Sequence, residues 1–239
     1  MLATEHAQPV LRKVRPITEV HELELSSRCN LRCRYCPHPK LEREKGDMTM
    51  DVFMKAMDHV AYYCEQGTQG ELALTGIGEA FLHPNFVEMV KLARRTLGPD
   101  RKMTLSTNGI LVTDAIAQVM REYRVEVYVS LHRPEKAGPA IEVLKRHGVY
   151  VGHNSGFATQ AMDWAGQLDW YVSAPTTNYC QYLVRGWGVI RQDGMLDACC
   201  MDAHSKFPLG SVSDKPGSWM TYILPLCATC NLRTPEELQ

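Results

Sequence analysis

The feature that most constrains this chain is an exchange of short strand-like runs and longer amphipathic runs over its first three quarters. His21 to Ser27 alternates with period two, as a strand does. Thr49 suits the cap of a helix whose apolar stripe is Val52, Phe53, Ala56, Met57, Val60 and Ala61. Glu71 to Thr75 reads as a short buried strand. Pro84 suits the first turn of a helix through Val87, Val90 and Ala93, stopped by Gly98 and Pro99. Lys102 to Ser106 is the next strand, and Thr113 caps a helix through Ala117 and Met120. Val125 to Leu131 is a strand, Pro139 to His147 a helix ended by Gly148, and Val149 to Gly152 a strand. Trp170 to Ser173 is a candidate sixth. Such repetition implies parallel strands joined by right-handed crossovers. Five or six units, rather than eight, predict an α/β fold: an incomplete, TIM-like barrel open at one side.

The character changes near Ala174 and Pro175. Beyond them, Gly186, Gly188, Gly194 and Gly210 punctuate short apolar pairs, which reads as a hairpin followed by loops and one short helix. The expected organisation is an N-terminal extension over 1–16, a partial barrel over 17–175 and a small C-terminal module over 176–239. With 239 residues and 45% hydrophobic content, the composition is that of a folded globular chain. No run approaches the roughly 20 apolar residues of a membrane span. Residues 1–16 lack the apolar centre of a signal peptide, so a cytoplasmic location is expected. A net charge of −1 calls for neither nucleic acid nor an anionic membrane as partner. Arg28, Arg32, Arg34, Lys40 and Arg43 form a local basic cluster, for which a solvated face is the ordinary reading.

Nine cysteines in a chain expected to stay in a reducing compartment point to metal or redox chemistry rather than disulfides. Cys29, Cys33 and Cys36 are spaced C-x3-C-x2-C directly after the first strand. Three thiolates on a short loop suit a four-iron, four-sulfur (4Fe-4S) cluster whose fourth iron takes an exogenous ligand. The alternative is zinc, whose structural sites favour paired C-x2-C elements and four ligands. In the C-terminal region, Cys180 and Cys199 flank a ribbon turned at Gly194, and Cys227 and Cys230 add two thiols from one turn. A zinc ribbon is the alternative there too.

The front loop resembles the signature of the radical S-adenosylmethionine (SAM) superfamily, with Tyr35 as the aromatic residue before the last cysteine. The resemblance implies that the methionine end of SAM chelates the open iron and that one electron breaks its C5′–S bond. The resulting 5′-deoxyadenosyl radical then takes hydrogen from a substrate. Thr75-Gly76-Ile77-Gly78-Glu79 resembles the family's Gly-Gly-Glu-Pro segment, with Ile77 and Ala80 departing from it. It implies that Gly76 and Gly78 let backbone carbonyls reach the methionine ammonium, which Glu79 complements in charge. Ser106 and Asn108, in Ser106-Thr107-Asn108-Gly109, are similar to the ribose-contacting segment, and Ser130 matches a further cofactor position. Val151 to Asn154 fits the adenine-contacting pattern loosely. Each motif follows a successive strand, at the rim where barrels assemble their sites.

The C-terminal cysteines, with Cys199-Cys200-Met201-Asp202 and Leu209-Gly210, resemble Twitch, the shortened SPASM module. The short layout is similar to that of 2-deoxy-scyllo-inosamine dehydrogenase. This implies a second, auxiliary 4Fe-4S cluster fully ligated by Cys180, Cys199, Cys227 and Cys230, with Cys200 spare. The reaction implied is hydrogen abstraction from a C–H bond of a small molecule or modified residue. Net oxidation with the auxiliary cluster as electron acceptor is the leading outcome, and flavodoxin or ferredoxin the expected electron donor. Redox-neutral mutase or epimerase chemistry is one alternative, and a non-catalytic iron–sulfur electron carrier another. No acid or base is assigned. His38, His83 and His132 lie near the rim, while Arg133, Tyr150, Asn154 and Trp187 are candidate substrate contacts. Cys64 reads as a structural thiol.

Overall fold

The computed structural model describes residues 12–131, 133–154, 164–168 and 180–230. The strands are β1 (Arg12–Pro16), β2 (Glu19–Leu23), β3 (Glu71–Ala73), β4 (Lys102–Thr107), β5 (Val125–Ser130), β6 (Val151–Asn154), β7 (Trp187–Ile190), β8 (Met195–Asp197), β9 (Pro208–Ser211) and β10 (Met220–Ile223). The helices are α1 (Met50–Glu65), α2 (Phe86–Leu97), α3 (Asp114–Glu122), α4 (Pro134–Arg146) and α5 (Gln181–Arg185).

One sheet of eight strands has the order β6-β5-β4-β3-β2-β7-β8-β9. From β6 across to β7 all neighbours are parallel, and α1 to α4 each connect one strand to the next between β2 and β6. The fold is therefore the α/β partial barrel that the strand–helix repetition predicts. Six strands are parallel, and β8 and β9 extend the sheet antiparallel from β7. The sixth parallel strand is Trp187–Ile190, which pairs with β2. The candidate at Trp170 to Ser173 lies outside the described residues. Gly194, at φ 85°, closes the β7–β8 turn, so the predicted hairpin forms with its first strand inside the barrel sheet. Separately, β1 pairs antiparallel with β10, which ties the start of the described chain to its end.

Local chemistry accounts for most of the boundaries. The side chains of Thr49 and Thr113 accept from the amides of Val52 and Ile116 and cap α1 and α3. Among the boundaries that differ from the sequence reading, β3 ends at Ala73, α2 begins at Phe86, after Pro84, and β6 is Val151–Asn154, and two more have a local cause. β2 stops at Leu23 because the chain beyond it turns toward the cysteine loop, with the Ser27 amide donating to the Gly46 carbonyl at 2.9 Å. α4 starts at Pro134, where a first-turn residue needs no N–H, and Pro139 sits inside the helix.

The core lies between the sheet and α1 to α4. Phe53 and Val60 of α1, Met89 and Leu97 of α2, Met120 of α3 and Leu144 of α4 are all fully buried there. Each such side chain contributes about 1.5–3 kcal/mol by leaving water. On β5, Val125, Val127 and Val129 are buried, while Glu126, Tyr128 and Ser130 alternate with them and are half-buried. A parallel strand packed on both faces is apolar throughout. Here the inward face is polar because the barrel encloses a cavity. Among the described residues, no helix is long and apolar enough to cross a membrane.

Candidate functional site

A cavity of about 320 Å³ opens at the C-terminal rim of the parallel strands. It brings together all the cofactor-site residues singled out from the sequence: Cys29, Cys33, Tyr35 and Cys36 after β2, Gly76, Gly78 and Glu79 after β3, Ser106 on β4 and Asn108 just after it, and Ser130 on β5. Its volume falls in the range of small-molecule sites.

The cysteine loop is held by neighbouring backbone. The Leu31 amide donates to Cys29 Sγ at 3.4 Å, and the His38 amide to Cys36 Sγ at 3.5 Å. Burial pushes the Cys29 thiol up, and that of Cys36 to about 11, with neighbouring cysteines adding to both. A bound cation reverses this balance and favours thiolate. His38 and His83 serve the scaffold. His38 is buried with Nε2 3.1 Å from the Ser27 carbonyl, while His83 lies 2.8 Å from the Met48 carbonyl and accepts from the Asn85 amide.

Gly76 and Gly78 are required by close approach. A Cβ on Gly78 would stand 2.2 Å from the Ser26 carbonyl oxygen and 2.6 Å from that of Arg28, backbone that leads into Cys29. A Cβ on Gly76 would strike the Glu24 side chain at 2.3 Å. The glycine loop thus seats the cysteine loop, and the Glu79 amide completes the seat by donating to the Arg28 carbonyl at 2.8 Å.

Glu79 is 2% exposed, and its carboxylate braces two of the motif loops. The Thr107 hydroxyl donates to Oε1 at 2.9 Å and the Asn108 amide to Oε2 at 2.9 Å, with a longer bond from the Phe81 amide. These use part of the carboxylate's acceptor capacity and leave the rest for a ligand. Burial pushes the Glu79 carboxyl up to about 7, against these bonds. A raised carboxyl makes its full contribution to stability below its unfolded value near 4.5, and loses it as pH rises through about 7. The cofactor-free protein is therefore expected to lose thermal stability across that interval. Glu79→Gln should flatten the slope, and an unchanged slope in thermal unfolding would count against this role.

The cavity is also lined by residues that carry no sequence motif: Glu22 of β2, Arg191 just after β7, and Cys200. Arg191 is fully buried; Nε donates to Asp197 Oδ2 at 2.5 Å and Nη2 to the Asp202 carbonyl at 2.9 Å. Its Nη1 is buried without a hydrogen-bond partner. Burial alone would lower the Arg191 pKa, but Asp197 and Glu24 reverse that and hold it charged. Glu24 in turn accepts from Arg43 at 2.8 Å and from the Ile77 amide at 2.8 Å. The one available signal for Arg191 was a charge ending the apolar run Trp187–Ile190.

Of the other candidate contacts, Arg133 lines the cavity. Trp187 instead stacks on His21 at 3.5 Å between ring centroids, and Tyr150 is 60% exposed. His132 and the side chain of Asn154 lie outside the described residues.

Of the C-terminal thiols, Cys200 lines the cavity. Cys199 hydrogen-bonds Cys200 and feels the charge of Cys180. Cys199 and Cys200 also share a small apolar cluster with Cys230, and Cys199 shares another with Cys227. Among the described residues, no three His, Cys, Asp or Glu side chains are drawn together as ligands of a single metal ion.

Comparison with known proteins defines the class. The model of the radical SAM superfamily matches residues 23–179, well over half the chain, and the chain belongs to that superfamily. It is 37% identical over 110 residues to the tungsten-containing aldehyde ferredoxin oxidoreductase cofactor-modifying protein of Pyrococcus furiosus, covering 46% of this chain and 29% of that one. With the GTP 3′,8-cyclase of Chlorobaculum tepidum it shares 33% identity over 90 residues, or 38% of this chain and 26% of that one. The chain thus spans less than a third of these curated relatives' lengths. Among solved structures, BtrN in complex with AdoMet and 2-DOIA superposes with a TM-score of 0.66 at 20% identity, covering 83% of this chain and 79% of that one. Native anSMEcpe with bound AdoMet and Cp18Cys peptide gives 0.59 at 17% identity, covering 83% and 78%.

Membership implies a 4Fe-4S cluster and SAM, and the residues fit both. The three front thiols share one cavity, where they would ligate three irons. The same cavity has a glycine loop without room for side chains and a buried carboxylate with acceptor capacity left, suited to an amino-acid ammonium.

Proposed function

We propose that this enzyme removes a hydrogen atom from a C–H bond of a small polar molecule or modified residue, with net two-electron oxidation as the outcome. When bound, the reduced cluster supplies one electron to SAM, yielding methionine and the 5′-deoxyadenosyl radical that performs the abstraction. In this reading Gly76, Gly78 and Glu79 hold the methionine end, Ser106 and Asn108 the ribose, and Ser130 assists. Cys180, Cys199, Cys227 and Cys230 hold a second 4Fe-4S cluster, where the substrate's second electron is taken up. The carrying observation is that the cofactor-loop residues and Arg191, Glu22 and Cys200 line one and the same cavity. A substrate held there would have the cofactor loops and a thiol adjoining Cys199 within the same space. The unpartnered Nη1 of Arg191 suits a polar oxygen on that substrate, because a buried donor left unpaired is costly.

A redox-neutral outcome has one specific observation in its favour: the Cys200 thiol lines the cavity and is suited to returning a hydrogen atom. Product mass separates the two. Oxidation gives a product two hydrogens lighter, with substrate deuterium retained in 5′-deoxyadenosine and one SAM used per turnover. An isomer of unchanged mass would overturn oxidation, and Cys200→Ala would then be expected to stop its formation.

A further inference from the structure

Residues 164–168 reach three thiol-bearing loops. Trp164 Nε1 donates to the carbonyl of Tyr35, between Cys33 and Cys36, at 3.1 Å. Gln167 Nε2 donates to the carbonyl of Met201, which follows Cys199 and Cys200. The hydroxyl of Thr229, between Cys227 and Cys230, donates to the Ala165 carbonyl at 2.7 Å. Trp164 also shares an apolar cluster with Cys199, Cys200 and Cys230, and it lines the large cavity. The backbone that makes these contacts is strained: Trp164 and Ala165 have φ of 54° and 57°, and Gly166 follows at 81°. Residues other than glycine adopt the left-handed conformation rarely and singly, so two in succession persist only where their surroundings over-determine them. Strain of this kind gathers at functional sites.

We infer that this segment is a clasp that holds the front cysteine loop and the C-terminal thiols in one register, with Trp164 and Gln167 as its positioning residues. The inference rests on the two-cluster reading above. In that reading the substrate gives up its hydrogen atom at the front loop and its second electron at the C-terminal thiols, so the two sites must keep a fixed separation. A misplacement of about 1 Å can cost about 100-fold in rate. The three loops follow β2, β8 and β10 and lie outside the strands, so sheet pairing does not fix their spacing. The clasp adds one side-chain hydrogen bond to each of them.

Iodoacetamide labelling of individual cysteines in the cofactor-free full chain, read by mass spectrometry, tests the clasp. Trp164→Phe keeps a ring in the apolar cluster but deletes the bond to Tyr35, and Thr229→Val keeps the shape but deletes the bond to Ala165. Each lesion should be felt at the far end of the clasp. Labelling of Cys33 and Cys36 should rise in Thr229→Val, and that of Cys227 and Cys230 in Trp164→Phe, by about two- to thirtyfold, the coupling that such networks carry. Cys64, on α1, should keep its wild-type rate. Changes confined to the altered loop overturn the clasp, and an equal rise at Cys64 overturns it in favour of general loosening. In anaerobically reconstituted, reduced holoenzyme, each cluster should broaden the EPR signal of the other. The double variant Trp164→Phe/Thr229→Val should spread that broadening over a range of separations, and an unchanged spectrum overturns the positioning role. About four irons per wild-type chain instead of about eight overturns the two-cluster reading, and the labelling then still decides the clasp.

Discussion

Alanine in place of any one of Cys29, Cys33 and Cys36 is expected to abolish formation of 5′-deoxyadenosine from SAM. With all three replaced, iron after anaerobic reconstitution should fall from about eight to about four per chain. Each thiol would ligate a different iron, so no neighbour substitutes for a missing one. The loop itself should survive, because its backbone is seated on the Gly76–Glu79 segment and on the Ser27–Gly46 contact rather than on the thiols. Thermal unfolding of the cofactor-free variants should therefore match wild type within a few degrees. Stoichiometric zinc with no iron in the wild-type chain would sink the assignment. So would methyl transfer as the main fate of SAM.

Arg191→Met is expected to produce the largest loss of stability of any single replacement around the cavity. The methionine fills similar space but strands Asp197, fully buried, and removes one of the two cations that hold buried Glu24 ionised. Breaking a buried pair from one side costs about 3–5 kcal/mol, because the remaining charge is left uncompensated. For a chain of this size that is a fall in Tm of roughly 10 °C. Adding Asp197→Asn should recover part of the loss, since Asn keeps the shape without the charge. A change below about 1 kcal/mol for the single variant would mean that water or a neighbouring group already compensates Asp197. The same replacement deletes the unpartnered Nη1 donor of a cavity-lining residue, so in folded protein it should uncouple SAM cleavage from product formation.

The two experiments probe parts of the site that were unequally legible. Cys29, Cys33 and Cys36, Gly76 to Glu79, and Ser106 to Asn108 each occupy a short contiguous segment directly after a strand. Covalent spacing alone keeps such residues together, and strand order sets them side by side on one rim. Glu22 and Glu24 were visible as the polar half of an alternating strand. Alternation assigns residues to a face without saying whether that face meets solvent, a neighbour or a cavity. Arg191 precedes Gln192-Asp193-Gly194 and reads as an ordinary turn residue, although it is the largest fully buried side chain described. Its burial depends on Asp197 and the Asp202 carbonyl, from the returning arm of its own hairpin and the loop beyond, and on Glu24, which is remote in sequence.

By itself the sequence determined the parallel strand–helix architecture, the two groups of thiols and the loops that face them, because those follow from periodicity and short-range spacing. Only the tertiary structure decided that β7 pairs with β2, on the side away from β3. Backbone hydrogen bonds are chemically alike for every strand, so local preference does not choose a strand's neighbour. That one pairing brings Arg191 and Cys200 into the lining of the cavity that the cofactor loops share.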